Sequence, residues 1–383
     1  MQPDAWDVAI VGAGPAGSSL AARLGASGWS VLLLDSARFP RDKMCGEYLG
    51  AGCLPLLRDL GVLDELLLCA HPVRFITARS PGGNDFRADY PEGIFGLSLP
   101  RRVLDSILLE RARLHKSVEV REGFRAEGIV LDDGAVRGVR GRRPGGESEV
   151  LRARLTIGAD GRNSVVARGL GAFRWHPRHR KLALGIHYEG VQGADQCAEI
   201  YAGRSLYGIL NHQGSGKANL SIVTRQADIS PWKGNLDGWF AALLKWLPTL
   251  RDRLHSARAL EKVTALGPLA HQAARVSAGG ALLVGDAAGF YDPFTGEGVY
   301  MALESARLAA EIAASALVAG DTSHRFLRRY DAARTASLAS RYRLQHVIQA
   351  VLARPWLANH VATGLRRSPR LANALLGKIG DLK

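Results

Sequence analysis

The stretch that decides the fold is DVAIVGAGPAGSSLAARLGASGWSVLLLD, residues 7–35. It predicts a short apolar strand, a glycine turn, a helix and a second apolar strand that ends at Asp35. In the G-x-G-x-x-G turn, Gly12 permits a tight bend, Gly14 lets the backbone approach a pyrophosphate, and Gly17 lets the helix pack closely on the strand. Asp35 follows Gly17 by 18 residues and is placed to accept hydrogen bonds from an adenosine ribose. The stretch therefore predicts a βαβ unit that binds a dinucleotide.

The bulk composition sets limits on the class of protein. With 383 residues, 47% hydrophobic and 22% charged, the chain can form two packed domains or one large domain with an inserted layer. Its first residues show no secretory signal, and no apolar run reaches the roughly 20 residues that a membrane span needs. The four cysteines have no C-x-x-C spacing, so the sequence suggests neither a metal site nor a disulfide framework. We expect a cytoplasmic protein.

Positive charge is concentrated at the C-terminal end. The chain has a net charge of +14, and residues 325–383 contain twelve Lys or Arg but only two Asp. Apolar residues interleave with these charges in a helical pattern that Pro355 interrupts. One interpretation is the charged outer side of a helical cap. The other is a basic amphipathic surface that contacts anionic lipid at the inner face of the membrane. Nucleic acid is disfavoured as a partner, because no recognition motif accompanies the charge.

A second glycine-rich stretch, GDAAGFYDPFTGEG at residues 285–298, leads into a long predicted helix that begins at Gly298 and Val299. Glycines before a helix start allow backbone amides to approach a polar ligand. Between the two glycine-rich stretches, residues 151–171 predict a strand, an Asp-Gly turn at Asp160 and Gly161, and a helix.

The order of these motifs resembles the FAD-dependent oxidoreductases built like para-hydroxybenzoate hydroxylase, and within them the geranylgeranyl-reductase-like branch. Across residues 5–320 the resemblance rests on GAGPAG, FPRDKMCGE, Arg101 before VLD, GADGRNS and GDAAGFYDPFTGEG, in that order. It implies an α/β fold, with a Rossmann-like FAD-binding domain, an inserted, mostly antiparallel β substrate domain and a C-terminal helical segment. The implied boundaries are 1–70, 95–175 and 268–322 for the FAD-binding domain, 71–94 and 176–267 for the substrate domain, and 323–383 for the basic helical segment.

The resemblance also implies the contacts with FAD. On the adenosine and pyrophosphate half, these are Gly12, Gly14, Ala16, Gly17, Asp35, Arg41, Arg101, Ala126, Asp160 and Gly161. On the flavin half, Asp286 would hold a ribityl hydroxyl, Pro293 would lie near the isoalloxazine ring, and the start of the long helix would meet the pyrimidine edge. The contacts implied on this half are Cys45, Gly46, Asp286, Pro293, Gly296, Gly298 and Val299.

The Asp-Gly turn bears on the electron donor. In the hydroxylases that the chain resembles, this turn also helps to receive NAD(P)H, and a Ser and then an Arg follow it. Here Ser164 is in place, but Ala167 stands at the Arg position, with Arg168 next to it. The sequence contains no second βαβ fingerprint, so we expect NAD(P)H to act as a reductant that docks transiently.

Three reactions share this scaffold: hydroxylation, reduction of prenyl double bonds and halogenation. The chain lacks the halogenase pattern W-x-W-x-I-P, and YGILNH at residues 207–212 departs from the prenyl-reductase pattern Y-x-W-x-F-P. These departures favour an NAD(P)H-dependent monooxygenase that hydroxylates a lipophilic or aromatic small molecule through a flavin C4a-hydroperoxide. Geranylgeranyl-type reduction, halogenation and a purely structural or electron-transferring flavin stay open as alternatives. Cys45, His187 and His212 are the only candidates for catalysis, the histidines because imidazole titrates near neutral pH.

Overall fold

The computed structural model describes residues 5–193, 195–232 and 234–380. Its strands are β1 (Trp6–Val11), β2 (Val31–Asp35), β3 (Tyr48–Leu49), β4 (His71–Val73), β5 (Phe75–Arg79), β6 (Asp85–Asp89), β7 (Gly96–Ser98), β8 (Val118–Glu122), β9 (Arg125–Asp132), β10 (Ala135–Arg142), β11 (Ser148–Gly158), β12 (Phe173–Trp175), β13 (Lys181–Glu189), β14 (Cys197–Ala202), β15 (Tyr207–Gly214), β16 (Lys217–Arg225), β17 (Arg258–Ala259), β18 (Thr264–Leu266), β19 (His271–Ala273), β20 (Ser277–Ala278), β21 (Ala281–Leu283) and β22 (Gly289–Phe290).

The helices are α1 (Pro15–Ala26), α2 (Cys53–Asp59), α3 (Leu63–Cys69), α4 (Arg101–Arg113), α5 (Val165–Gly169), α6 (Leu236–Leu244), α7 (Pro248–Arg253), α8 (Gly298–Ala319), α9 (His324–Leu327), α10 (Arg329–Leu352), α11 (Pro355–Arg367) and α12 (Pro369–Ile379). Short 3-10 helices lie at Gly161–Asn163, Gln226–Trp232, Gly285–Ala287 and Pro293–Thr295.

The first sheet is built around the βαβ unit that residues 7–35 predict. Its strand order is β20–β21–β11–β1–β2–β8, and the five strands from β21 to β8 run parallel. Residues 8–11 of β1 and 31–34 of β2 are continuously apolar and buried, as is typical of parallel strands that are covered on both faces. Helices α1, α4 and α8 cover one face, and the alanine-rich side of α8 allows α1 to approach closely. The predicted Rossmann-like α/β fold is confirmed.

The second sheet has the order β17–β13–β16–β15–β14–β5–β6, with β18 paired to β13. Its pairings are antiparallel except for β14 with β5, which confirms the predicted, mostly antiparallel β layer. Helices α6 and α7 cover one side of this sheet through Trp239, Phe240 and Leu250. Its other side faces the first sheet and leaves a cleft between the two.

The C-terminal helices wrap around both layers. Helix α10 packs on α8, whereas α11 and α12 pack on β6, where Leu365, Ala372 and Leu376 join Ala88 and Tyr90 in a small core. The predicted basic segment is therefore helical, and one side of it is buried. None of the helices in the described ranges combines the length and apolarity that crossing a bilayer requires.

Candidate functional site

The cleft between the two sheets has a volume of about 370 Å³ and is lined by segments far apart in the sequence. The glycine turn before α1, the 43–48 segment, the Asp-Gly turn and the loop before α8 all contribute to it. The lining includes twelve of the residues predicted to contact FAD: Gly14, Ala16, Cys45, Gly46, Arg101, Asp160, Gly161, Asp286, Pro293, Gly296, Gly298 and Val299.

The other predicted contacts support the cleft from outside its lining. Gly12 has a φ of +100°, and a Cβ on Gly17 would lie 1.8 Å from the Gly12 carbonyl oxygen, so both glycines serve the close approach of backbone segments. The Asp35 carboxylate accepts the Ala13 and Ala37 amides, each at 2.8 Å. These bonds fix the carboxylate beside the glycine turn, and each carboxylate oxygen can accept a further hydrogen bond.

Arg41 and Ala126 also lie outside the lining. The Arg41 guanidinium pairs with Asp105 at 3.1 Å and approaches Gly14, whose added Cβ would lie 3.6 Å away. Ala126 follows Phe124 by two residues, and the Phe124 amide donates to the Asp35 carbonyl oxygen at 2.9 Å. The structure thus places Ala126 near the carboxyl end of β2, on the side of Asp35.

Two helices begin at the cleft. Helix α1 starts after Gly14 and α8 starts after Glu297, and neither N-cap residue accepts a hydrogen bond from the helix start through its side chain. The first amides of a helix have no intrahelical partner, and the helix dipole places positive potential at this end. The cleft therefore offers backbone donors at two points, one suited to a phosphate group and one to the carbonyl edge of a flat ring.

The residues present fit a bound FAD. Among the described residues, Oδ1 of Asp160 is buried without a hydrogen-bond partner, although Asp160 lines the cleft. Burial raises the pKa of this carboxyl group. Gly46 has open space where a Cβ would stand, and at Gly298 the nearest atom would be 3.7 Å away, on Phe290. The unpaired oxygen of Asp160 can accept a hydrogen bond from a hydroxyl group of the nucleotide. The free space at Gly46 and Gly298 can admit a flat ring.

A group of basic side chains forms one wall of the cleft. Arg101 is buried and makes a two-pronged pair with Asp105, with both N–O distances at 2.8 Å. Its guanidinium also contacts the Cys45 thiol. Lys43 extends into the cleft nearby, and the surrounding protein and the Arg101 charge lower its pKa. Because Asp105 balances only part of this charge, the wall suits an anionic group such as a pyrophosphate.

Glu47 is a buried carboxylate that the sequence did not single out, although it directly follows Cys45 and Gly46. It lines the cleft, and its oxygens accept the Arg101 amide at 3.0 Å, Gln213 Nε2 at 2.5 Å and His187 Nε2 at 2.8 Å. The other ring nitrogen of His187 lies 2.7 Å from Oε1 of the exposed Glu261. His187 itself lies outside the lining of the cleft. Through its two ring nitrogens it links Glu47 to the surface.

His187 is held as a cation by this arrangement, which gives a testable pH dependence. The hydrogen bond to Glu47, opposed by burial and reinforced by Glu261, raises the pKa of His187 to about 9. Its unfolded value is about 6.5. Because the pKa of His187 is higher in the folded protein, protonation of His187 stabilises the fold. This stabilisation is fully present below the unfolded pKa and is lost as the pH rises through about 9.

We therefore expect His187→Gln to lower the free energy of unfolding by roughly 1–2 kcal/mol at about pH 6, with solvent screening allowed for. The difference from the parent protein should shrink toward zero at about pH 10. Urea unfolding at both pH values measures it, with the exposed Glu261→Gln as the comparison variant. A difference that stays constant or grows with rising pH would contradict the charged state of His187.

Asp292 connects the loop before α8 to the second sheet. It is buried, and it accepts hydrogen bonds from Tyr207 at 2.6 Å and from Lys181 Nζ at 3.0 Å, with His179 Nε2 at 3.4 Å. Burial opposes ionisation, but these partners hold the pKa of Asp292 below its usual range. Lys181 Nζ also contacts Oε1 of Gln349 in α10 at 2.6 Å. Asp292 thus connects the loop to the second sheet and, through Lys181, to α10.

Glu297 makes the second connection between this loop and α10. Arg341 Nη1 donates to Glu297 Oε1, and both residues are buried. Gln345 Nε2 donates at 3.2 Å to both Glu297 and Thr295. Because Glu297 directly precedes Gly298, α10 holds the helix start that faces the cleft.

His212, predicted as a catalytic candidate, lies outside the lining of the cleft. Its Nε2 is 2.6 Å from Glu199 Oε1, and Arg253 and Tyr201 also donate to this carboxylate. Burial opposes ionisation, but these donors lower the pKa of Glu199 to about 2. Cys197, Glu199 and His212 are the one group in the described ranges whose donor atoms could together approach a metal. Since a guanidinium already occupies both carboxylate oxygens, the cluster is an ion-pair network within the sheet.

The Asp-Gly turn departs from the hydroxylase pattern in the structure as in the sequence. Ser164 caps α5 by accepting the Ala167 amide at 2.9 Å, and Ala167 is buried. The Arg168 guanidinium lies over the Phe173 ring, 5.1 Å from its centre. The arginine next to the expected position is thus directed toward an aromatic side chain.

Comparison with known proteins decides the family. Residues 5–342 match the family model described as FAD binding domain. The chain belongs to this family of FAD-binding proteins. It is 31% identical over 328 residues to the digeranylgeranylglycerophospholipid reductase of Methanosarcina mazei, a match that covers 84% of this chain and 78% of that protein. The chain is an FAD-dependent oxidoreductase of the geranylgeranyl-reductase-like branch, as its motifs predicted.

Solved structures show the same fold for this oxidoreductase. A flavin-dependent brominase superposes with a TM-score of 0.86 at 20% identity, and the match covers 98% of this chain and 94% of that one. A geranylgeranyl bacteriochlorophyll reductase-like protein from Thermoplasma acidophilum gives a TM-score of 0.80 at 21% identity, over 98% and 92% of the two chains. Identities this low establish the shared fold alone.

Proposed function

We propose that this flavoprotein reduces isolated carbon–carbon double bonds in a polyprenyl-type lipid. The observation that carries the proposal is the chemistry of the cleft wall on the side of the second sheet. That wall is largely aliphatic, and its apolar side chains are Ile76, Ala183, Ala198, Ile200, Ile209, Val223, Leu266 and Leu269. Such a surface binds a hydrocarbon chain by excluding water and gives little polar guidance to a phenol.

The position of the cleft histidine agrees with a substrate that does not ionise. Among the described residues that line the cleft, His271 is the only histidine. Its ring nitrogens face the carbonyl oxygens of Leu269 and Asp286 at 2.9 and 2.7 Å. With both nitrogens directed at acceptors, His271 is badly placed to take a proton from a phenol.

FAD, when bound, supplies the hydride, and the protein supplies position and a proton. The helix start at Gly298 and Val299 would offer backbone donors to the part of the reduced ring that carries negative charge. Reduction of an alkene by NAD(P)H also consumes one proton, which must reach a cleft covered by apolar groups. The hydrogen-bonded series Glu47, His187 and Glu261 leads from the lining to solvent and provides the route, with Glu47 reprotonated from His187 Nε2.

The named relative supports the same proposal, because it is a digeranylgeranylglycerophospholipid reductase and the match covers most of the length of both proteins. NAD(P)H is the electron donor that we propose. The Asp-Gly turn lines the cleft at Asp160 and Gly161, where a transiently docked donor would reach the flavin.

Monooxygenation of a lipophilic molecule is the second candidate, and one observation favours it. Ile209 lines the cleft at the position where prenyl reductases carry the Trp of Y-x-W-x-F-P, and Asn211 points to Ser98 and the backbone of Gly46 and Glu47. The substrate wall therefore differs from the prenyl-reductase pattern at the site of its aromatic residues.

Reaction stoichiometry separates the two candidates. The purified holoprotein is given NADPH or NADH and geranylgeranyl-bearing lipid in air, while oxygen uptake and product mass are followed. We expect a product that gains two hydrogens for each NAD(P)H consumed. The amount of oxygen taken up should not depend on the amount of product formed. One oxygen atom in each product, with matching oxygen uptake, would replace the proposal by the monooxygenase.

A further inference from the structure

The outward face of α11 and α12 combines apolar and basic side chains. Trp356 of α11 is 62% exposed and Leu371 of α12 is 57% exposed. Arg367 of α11 and Arg370 and Lys378 of α12 are exposed as well. We call the surface formed by Trp356, Arg367, Arg370, Leu371 and Lys378 the C-terminal basic face.

The two helices present this face in one direction. Both pack their buried sides on β6, through Leu365 of α11 and through Ala372 and Leu376 of α12. Because the same strand supports both helices, their opposite sides point away from the molecule together. After the first residue of α12, the exposed positions are 370, 371, 374 and 378, and they lie on the side of the helix away from Ala372 and Leu376.

The charge of the surrounding chain has a single sign. Residues 332–380 contain eight Lys or Arg and no Asp or Glu. Arg341 is buried against Glu297, whereas the cations of the face lie at the surface. No acidic residue within these helices therefore offsets the positive field over the face, and an anionic partner is attracted to it.

We propose that the C-terminal basic face docks on an anionic lipid surface. Large apolar side chains between exposed cations fit the boundary between headgroups and acyl chains, where the apolar groups insert and the cations pair with lipid phosphates. A nucleic acid would leave Trp356 and Leu371 in water, and a second copy of this chain would place like charges against each other.

The place of the face in the fold agrees with this partner. Leu365, Arg366 and Pro369 border a groove of about 570 Å³ that also touches Ile200. Ile200 lines the cleft as well. Arg366 and Pro369, which are adjacent in the chain to Arg367 and Arg370, therefore connect the neighbourhood of the C-terminal basic face to a groove that shares Ile200 with the cleft.

The test is flotation of the FAD-loaded full chain with vesicles, measured without turnover. Vesicles contain equal parts of phosphatidylglycerol and phosphatidylcholine, or phosphatidylcholine alone, at low and high salt. Trp356→Ser/Leu371→Ser removes the apolar contacts, and Arg367→Glu/Arg370→Glu reverses two charges. Trp246→Ser and Arg152→Glu are matched controls at exposed positions elsewhere. Flavin absorbance confirms that each variant is folded.

We expect binding to the anionic vesicles only, weakened by salt. The charge-reversal variant should lose roughly 25-fold or more in partition coefficient, because each lost cation lowers affinity about fivefold. The apolar variant should also bind more weakly, and the controls should bind as the parent does. Three results would overturn the proposal: no flotation of the parent protein, flotation of both double variants equal to that of the parent, or self-association that Trp356→Ser/Leu371→Ser abolishes. Because no catalytic step is measured, this result is independent of the proposed reaction.

Discussion

Gly17→Ala is expected to yield a protein that neither folds stably nor holds FAD, whereas Gly14→Ala is expected to fold and to lose flavin affinity alone. A Cβ on Gly17 would lie 1.8 Å from the Gly12 carbonyl oxygen, and backbone cannot move away without separating α1 from β1. We expect a loss of more than roughly 3 kcal/mol in the free energy of unfolding, at or beyond the usual range for overpacking.

Gly14 is the matched comparison within the same turn. Its φ of −74° and ψ of −172° are open to alanine, and the nearest atom to an added Cβ is Arg41 Nη2 at 3.6 Å. The methyl group would instead occupy the space through which the turn approaches a pyrophosphate, so FAD affinity should fall about tenfold or more. Thermal unfolding and fluorescence titration with FAD measure the two effects. A stable, yellow Gly17→Ala protein would contradict the packing that the structure shows.

The second large effect is expected at the connection between α10 and the loop before α8. Arg341→Met should lower the free energy of unfolding by about 3–5 kcal/mol, because it leaves the buried carboxylate of Glu297 without its cation. FAD affinity should fall with it, since Glu297 sets the position of Gly298 and of the amides that follow.

A double-mutant cycle tests this connection. Glu297→Gln together with Arg341→Met should be less harmful than the sum of the single changes, because neither variant partner is then charged. Arg142→Met is the control, since Arg142 pairs with Glu127 at the surface and its loss should cost less than about 1 kcal/mol. Urea unfolding of the flavin-free and FAD-bound proteins gives the energies. Additive single changes, or a cost no larger than that of the control, would show that α10 does not hold the loop.

The sequence predicts the parts of the site that depend on local backbone geometry. Glycines at fixed spacing between a strand and a helix leave few alternatives, so the turn at residues 12–17 and the start of α8 could be located from the sequence. The charge and the apolar pattern of the C-terminal segment predict its helices. The polar contacts of α10 cannot be predicted in this way, because Arg341, Gln345 and Gln349 follow no apolar pattern, and their role appears only when α10 meets the loop.

The polar network around the cleft depends on contacts between distant segments, and the sequence predicts it least well. Glu47 is 140 residues from His187, and Asp292 meets Tyr207 across 85 residues. Neither carboxylate has a local signal beyond its place in a glycine-containing motif. His187 and His212 show the same limit. His187 contacts Glu47, and His212 pairs with Glu199, so the partners of both come from other segments of the chain.

The most direct test of the account is a single turnover of the reduced flavoprotein with geranylgeranyl lipid in the complete absence of oxygen. The aliphatic cleft and the proton route through Glu47 and His187 predict that the flavin is reoxidised at the rate at which saturated product forms. They also predict that Glu47→Gln slows both rates together and shifts their pH dependence. If the flavin stays reduced until oxygen is admitted, and product appears only then, the account of this protein as an alkene reductase is wrong.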